Sequence, residues 1–136
     1  MNFAGNFRHI GNIDISAIKD EVEKLTDDDW NEQSWRQKRY EVHKDTKFIG
    51  LVYDPDFRHA NSTRHPALEK FKKSTGPILG FVANYYESNV EILSRLPRPM
   101  PGYFVRSSIV KLVAGGSISE HRDLNFSLTH SHRVHV

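Results

Sequence analysis

The chain has 136 residues, a formal net charge of +2 and an apolar content of 38%. This length is enough for one domain, and the composition is that of a globular protein, neither disordered nor membrane-embedded. Because the chain has no cysteine, disulfides, thiolate metal sites and cysteine nucleophiles are excluded. The 19 basic and 17 acidic residues are too balanced to indicate a nucleic-acid partner.

Targeting signals are the next feature. The first residues have neither the basic start nor the apolar stretch of a signal peptide. No apolar run approaches the roughly 20 residues that a membrane-spanning helix needs. We therefore expect a cytoplasmic protein without a membrane partner.

The front of the chain begins with a predicted helix over residues 14–25, with Asp14 as its N-cap and apolar residues at helical spacing. The acidic run at 27–29 is expected to end this helix. Residues 31–44, which include Trp35, have no assignable pattern. Residues 47–53 are rich in β-forming apolar residues and predict a buried strand, followed by a loop over 56–64.

Two further helices are predicted before residue 97. Pro66 can open a short helix over residues 67–74, which Gly76 and Pro77 are expected to terminate. Residues 78–96 keep an apolar face at helical spacing, and the prolines at 97, 99 and 101 prevent its continuation. We therefore predict that residues 1–100 are a helical region containing one strand.

Residues 101–136 have a different character. A predicted strand over 103–113 leads into a turn at Gly115 and Gly116, and a second short strand follows over 117–123. Residues 125–131 are a polar connection, and residues 133–136 begin a third predicted strand. The predicted fold class is α+β.

His121 and Asp123 are the central candidate site. Residues two apart on a strand point to the same face, so an imidazole nitrogen and a carboxylate oxygen could reach one metal ion. This is how two ligands of a 2-His-1-carboxylate iron site are presented. A surface His–Asp hydrogen bond is the alternative. A zinc site that adds His130 and His132 is also chemically permissible, and it predicts tight zinc binding by residues 117–136 alone.

Residues 103–136 resemble the aspartyl/asparaginyl β-hydroxylase family of iron(II)/2-oxoglutarate oxygenases, which includes proline hydroxylases. The shared pattern is an apolar strand, a glycine turn, an apolar lead-in to His-x-Asp, and a later Arg-x-His followed by apolar residues. Here those positions are Gly115-Gly116, Ile118, His121, Asp123, Arg133 and His135. The front agrees more loosely, through Trp35, Arg39 and residues 46–53.

The resemblance implies a fold, an activity and site residues. The fold would be a double-stranded β-helix of the jelly-roll or cupin kind, of which residues 101–136 hold only the first strands. His121 and Asp123 would bind Fe(II), and Arg133 and His135 would lie near the cosubstrate 2-oxoglutarate. The activity would hydroxylate an amino acid, or an Asp or Asn residue in a peptide, and convert 2-oxoglutarate to succinate.

Two parts of the family pattern are missing from this sequence. The distal iron-binding histidine has no counterpart among His130, His132 and His135, and the arginine for the far carboxylate of 2-oxoglutarate is also absent. We expect the chain to be the N-terminal part of a longer protein, with an open sheet edge that permits self-association. The alternative is a truncated, non-catalytic binding or scaffold protein related to this family. The two residues also have non-functional interpretations of their own: Arg133 as a solvated surface arginine at the end of a strand, and His135 as a histidine packed inside the barrel.

Overall fold

The computed structural model describes residues 7–94 and 102–136. Over these residues it contains six α-helices, two 3-10 helices and three strands. In chain order they are α1 (Ser16–Val22), α2 (Asp27–Asn31), α3 (Trp35–Arg39), a first 3-10 helix (Glu41–His43), β1 (Thr46–Tyr53), a second 3-10 helix (His59–Asn61), β2 (Thr63–Arg64), α4 (Ala67–Ser88), α5 (Val90–Leu93), β3 (Ser107–Leu112) and α6 (Phe126–Thr129).

The sheet has three antiparallel strands in the order β2-β1-β3. β3 pairs with β1 from Thr46 opposite Leu112 to Val52 opposite Ser107, and the register shifts between Gly50 and Val52. The α+β class is therefore confirmed. The strand predicted over 47–53 is also confirmed, and β3 is shorter than the predicted strand over 103–113.

β1 is buried on both faces, which explains its nearly continuous apolar run. On one face Ile49 and Leu51 form a core with Trp30 and Phe71. On the other face Phe48 contacts the ring of Trp35 on α3, with ring centroids 6.4 Å apart. Partly buried apolar residues from the neighbouring elements complete the core, namely Ile18, Val22, Leu25, Ala67, Leu68 and Ile109.

The acidic run at 27–29 begins α2, so the prediction that it only ends the first helix was wrong. Thr26 caps this helix: its hydroxyl accepts from the Asp29 amide, and the Asp29 carboxylate accepts from the Thr26 amide. Carboxylates in a first turn also interact favourably with the helix dipole. α2 matters for the fold because it carries the core residue Trp30.

α4 runs without interruption through Gly76 and Pro77, where the sequence predicted a break. Its buried residues Phe71, Ser74, Thr75 and Val82 lie on both sides of the proline, so packing outweighs the local cost of Pro77. Ser74 also donates to Glu21 on α1. Even with α4 counted, no helix within the described ranges is long and apolar enough to cross a membrane.

Two lysines face each other where β1 begins and β3 ends. Lys47 on β1 lies directly opposite Lys111 on β3, and like charges in this arrangement repel. α2 supplies a partner to each. Asp27 forms an ion pair with Lys47, and the ammonium of Lys111 lies 5.6 Å from the ring centroid of Trp30.

The predicted strands over 117–123 and 133–136 are not present: in the described segment 102–136, β3 is the only strand. A strand needs a partner for its backbone groups, and residues 117–136 instead form turns, extended loop and the short helix α6. Asn125 caps α6 by accepting from the Leu128 amide.

Replacing Pro77 by Ala tests the continuous helix. We expect Pro77→Ala to raise the free energy of unfolding by about 1–3 kcal/mol, because alanine restores a helix hydrogen bond and removes a clash. Pro66→Ala is the matched control, since Pro66 precedes the first residue of α4, where proline costs little. Equal effects of the two substitutions in urea unfolding would contradict a helix that continues through Pro77.

Candidate functional site

A glycine turn fixes the start of the segment that carries His121 and Asp123. Gly115 has a φ of +75°, and the Gly116 amide donates to the carbonyl of Val113. A Cβ added at Gly116 would lie 2.7 Å from the Cβ of Asp45. Glycine is therefore required at both positions, at 115 for its backbone conformation and at 116 for space.

Asp45 holds this turn from both sides. Its carbonyl accepts from the Val113 amide, and its carboxylate accepts from the Ser117 amide at 3.1 Å. Asp45 lies between the first 3-10 helix and β1. The chain that leaves β3 is thus tied to the start of β1, and this brings His121 next to the first 3-10 helix.

His121 contacts His43, the last residue of that 3-10 helix. Their ring centroids are 5.6 Å apart and the rings are nearly perpendicular. His43 is buried and His121 is exposed. The contact therefore places the imidazole of His121 at the surface, against a rigid buried ring.

The hydrogen bond of His121 fixes the position of its ring hydrogen. Its Nδ1 lies 2.9 Å from the carbonyl oxygen of Ser119. A carbonyl oxygen only accepts, so Nδ1 donates, and in the neutral ring Nε2 keeps its lone pair. Metal-binding histidines commonly have this arrangement, with one ring nitrogen donating to a carbonyl and the other available to the metal.

Asp123 is partly buried and forms an ion pair with Arg133. Burial alone would raise the pKa of Asp123, but the hydrogen bond and charge of Arg133 outweigh it, and the pKa lies below its usual value. The positive charges of His121 and His43, when protonated, act in the same direction. Asp123 is therefore a carboxylate at neutral pH.

Arg36 on α3 lies beneath this cluster. Its Nη2 donates to Nε2 of His43 at 2.9 Å, and its guanidinium packs over the ring of Phe48. Nδ1 of His43 must then carry the hydrogen, and it has no hydrogen-bond partner among the described residues. Burial and the charge of Arg36 lower the pKa of His43. His43 is consequently a neutral ring with no free lone pair for a metal.

Asp54, at the end of β1, is completely buried and holds two distant segments. Its carboxylate accepts from Arg106, just before β3, and from the hydroxyl of Ser127 in α6. Burial would raise the pKa of Asp54, but these two hydrogen bonds and the charge of Arg106 hold it below its usual value. The guanidinium of Arg106 also packs over the rings of Tyr53 and Phe57.

The structure brings three of the four sequence-predicted site residues into one cluster. His121 and Asp123 interact electrostatically, and Arg133 pairs with Asp123. His135 is exposed, and it makes no hydrogen bond or ring contact with any residue in the described part of the chain. The predicted presentation of His121 and Asp123 on a strand was wrong, since their segment is an extended loop.

The four residues of the alternative zinc site have separate partners. Nδ1 of His130 lies 2.9 Å from the Phe126 carbonyl, and His132 contacts the Tyr86 hydroxyl. Over residues 7–94 and 102–136, no group of three or more histidine, aspartate or glutamate side chains is arranged to hold a metal ion. His121 and Asp123 thus provide two donors for a metal site rather than a complete set.

Sequence reasoning missed Arg36 and His43, which support the site from below, and it also missed the buried pair of Asp54 and Arg106 at the end of β1. Asp54 had one signal in the sequence, since it is a charged residue directly after the predicted buried strand. No comparable signal marked His43, because the stretch 31–44 has no clear periodicity.

Comparison of the chain with protein-family models, with curated proteins and with solved structures finds no match in any of the three.

The buried neutral state of His43 predicts a pH-dependent stability. In the unfolded chain His43 takes up a proton near pH 6.5, whereas in the native protein it stays neutral to a lower pH. The free energy of unfolding therefore keeps the full contribution of His43 above pH 6.5 and decreases as the pH falls below it. His43→Gln should reduce this slope by at most about 1.4 kcal/mol per pH unit. Urea unfolding with a metal chelator measures it, and His9→Gln, which removes an exposed histidine, is the control. Equal slope changes in both variants would contradict a buried neutral His43.

The buried ion pair of Asp54 predicts a large loss of stability on substitution. Asp54→Asn leaves the Arg106 guanidinium partly buried without a counter-charge, and we expect a cost of about 3–5 kcal/mol. Asp27→Asn breaks the exposed pair with Lys47 and should cost much less. Thermal unfolding of both variants makes the comparison, and similar losses would show that Asp54 does not anchor the fold.

Proposed function

We propose that this chain forms part of an iron(II)- and 2-oxoglutarate-dependent hydroxylase related to the aspartyl/asparaginyl β-hydroxylases. The support is the His121-x-Asp123 and Arg133-x-His135 pattern behind the glycine turn, together with the contact between Arg133 and Asp123. In this proposal the described chain leads into a double-stranded β-helix that residues outside the described ranges would complete, and β3 is the one strand that residues 102–136 contain.

The hydrogen bond from Nδ1 of His121 to Ser119 carries the proposal. It directs the lone pair of Nε2 away from the backbone while the ring rests against His43. A metal ligand gains from this orientation because it is set before the metal binds. The exposed His130 makes the same kind of bond to the Phe126 carbonyl, but His121 has in addition a carboxylate, Asp123, near enough to interact with it.

His121 and Asp123 are chemically suitable as ligands for Fe(II). An imidazole nitrogen and a carboxylate oxygen are two of the three ligands of a 2-His-1-carboxylate site. The third ligand has no counterpart among the described residues. The proposal therefore requires one more histidine from outside them. With iron and 2-oxoglutarate bound, such a site would use dioxygen as the oxidant: one oxygen atom would go to the substrate as a hydroxyl group and the other to succinate, as 2-oxoglutarate loses carbon dioxide.

Arg133 has a role in this proposal that follows from its ion pair. A metal that binds Asp123 competes with Arg133 for the same carboxylate. Arg133 released from Asp123 then presents a guanidinium fork beside the metal ligands, and this fork is suited to a carboxylate group. We assign Arg133, with His135, to the cosubstrate. The substrate we propose is a free amino acid or an Asp or Asn residue in a peptide, in the cytoplasm.

A non-catalytic binding or scaffold protein is the second candidate. The observation in its favour is that Asp123 is already paired with Arg133 and that no third metal ligand is present among the described residues. In a scaffold of this kind, the ion pair would be structural, and the open edge of β3 would bind another chain or a second copy.

Anaerobic titration of the natural full-length protein with Fe(II) and 2-oxoglutarate tests the two candidates. The hydroxylase should give a weak visible charge-transfer absorption, which His121→Ala and Asp123→Ala should abolish. His9→Ala, which removes an exposed histidine elsewhere, should retain it. Absorption that persists in both site variants, or that is absent from the unsubstituted protein, would leave the scaffold as the better account.

Arg133→Ala separates a functional arginine from a structural one. If Arg133 competes with the metal and then binds the cosubstrate, its loss should keep or tighten Fe(II) binding and weaken 2-oxoglutarate binding by at least tenfold. Fe(II) competition with a chelator and titration with 2-oxoglutarate measure the two affinities separately. An arginine that only stabilises the loop would instead weaken both.

A further inference from the structure

A cleft of about 370 Å³ opens at the end of the sheet where β1 and β2 pair. Its volume is at the lower end of the range for small-molecule sites. The lining residues come from β1, the second 3-10 helix, β2 and the segment before β3, namely Val52, His59, Ser62, Arg64, Tyr103 and Phe104. None of them belongs to the His121–Asp123 cluster.

Rings form one wall of the cleft. His59 lies between Tyr103, with ring centroids 6.4 Å apart, and Phe126 of α6, at 5.1 Å and in an edge-to-face arrangement. Tyr103 is 57% exposed. Exposed rings at such spacings provide faces on which a planar ligand can stack. Because Ser127 binds Asp54, α6 holds this wall against the buried end of β1.

Three of the four polar side chains of the cleft have no hydrogen-bond partner among the described residues, and the fourth, Ser62, donates to the His59 carbonyl. Arg64 is exposed on β2, and its guanidinium has neither an ion pair nor a hydrogen bond within residues 7–94 and 102–136. The ring nitrogens of His59 and the hydroxyl of Tyr103 are likewise without a hydrogen bond in those ranges. The lining includes no acidic residue. The cleft therefore offers a planar guanidinium and two other donors to a negatively charged group.

We propose that this cleft binds a small organic anion that carries a planar ring, with its acidic group on Arg64 and its ring against Tyr103 and His59. The charge of the lining selects an anion, and the ring wall selects a planar body. The limited volume suits a small molecule rather than a folded partner. The residues are disjoint from the candidate iron site, so this inference does not rest on the proposed hydroxylase.

Three probes separate the two requirements of the site. Phenyl phosphate carries both ring and charge, inorganic phosphate carries only the charge, and benzyl alcohol carries only the ring. We expect phenyl phosphate to bind at least tenfold more tightly than either of the others by calorimetry. It should shift the amide NMR signals of Arg64 and Tyr103. Equal affinity for phenyl phosphate and inorganic phosphate would overturn the proposal, because the ring wall would then contribute nothing.

Matched variants locate the binding. Arg64→Gln should weaken phenyl phosphate binding at least tenfold, and Tyr103→Ala at least fivefold, whereas Tyr103→Phe should change it less than threefold. Lys73→Ala removes one exposed positive charge outside the cleft and should leave the affinity unchanged. Since Arg64 and Tyr103 are exposed, their variants should fold, and circular dichroism checks this. A loss in Lys73→Ala as large as that in Arg64→Gln would show only non-specific attraction by net charge.

Discussion

The carboxylate of Asp54 is the interaction on which the rest of the structure depends. Asp54 directly follows β1 and is completely buried, and its carboxylate accepts from Arg106 before β3 and from Ser127 in α6. A buried charge is costly unless it is paired and hydrogen-bonded, so a single arrangement of these three side chains satisfies it. The β3 segment and α6 are thereby held at the same end of β1, through residues that follow Asp54 by 52 and 73 positions in the chain.

The candidate site lies at the other end of β1, and both ends of this strand hold the segments around β3 in place. Asp45 ties the glycine turn to the start of β1, and Asp54 ties the flanks of β3 to its end. The loop with His121 and Asp123 is thus held by residues from the first half of the chain. Arg36 and His43 support it from below. The site residues and their supports come from different halves of the sequence.

The sequence predicted what local patterns determine. β1 could be predicted because a strand that is buried on both faces has a continuous apolar run, which is visible in the sequence without its neighbours. The full length of α4 could not be predicted, because Pro77 is locally a helix breaker. Only the tertiary structure shows that residues on both sides of Pro77 are buried and keep the helix continuous. The strands predicted around His121 and Arg133 were wrong, because β-forming residues make a strand only where a partner strand can pair with them. His121 and Asp123 were singled out by their spacing and Arg133 by the family resemblance, whereas Arg36 and His43 became visible only through their tertiary contacts.

The facing lysines Lys47 and Lys111 lie between α2 and the glycine turn that leads to the candidate site. Two like charges in register would favour a displaced β3, and Asp27 and Trp30 remove this tendency by giving each ammonium its own neighbour. A displacement of β3 by one residue would reverse the faces of its side chains and pull the glycine turn away from Asp45. High ionic strength screens the exposed Asp27–Lys47 pair. Because salt also weakens the repulsion between the two lysines, the register of β1 and β3, and with it the position of the glycine turn, is expected to change little with ionic strength.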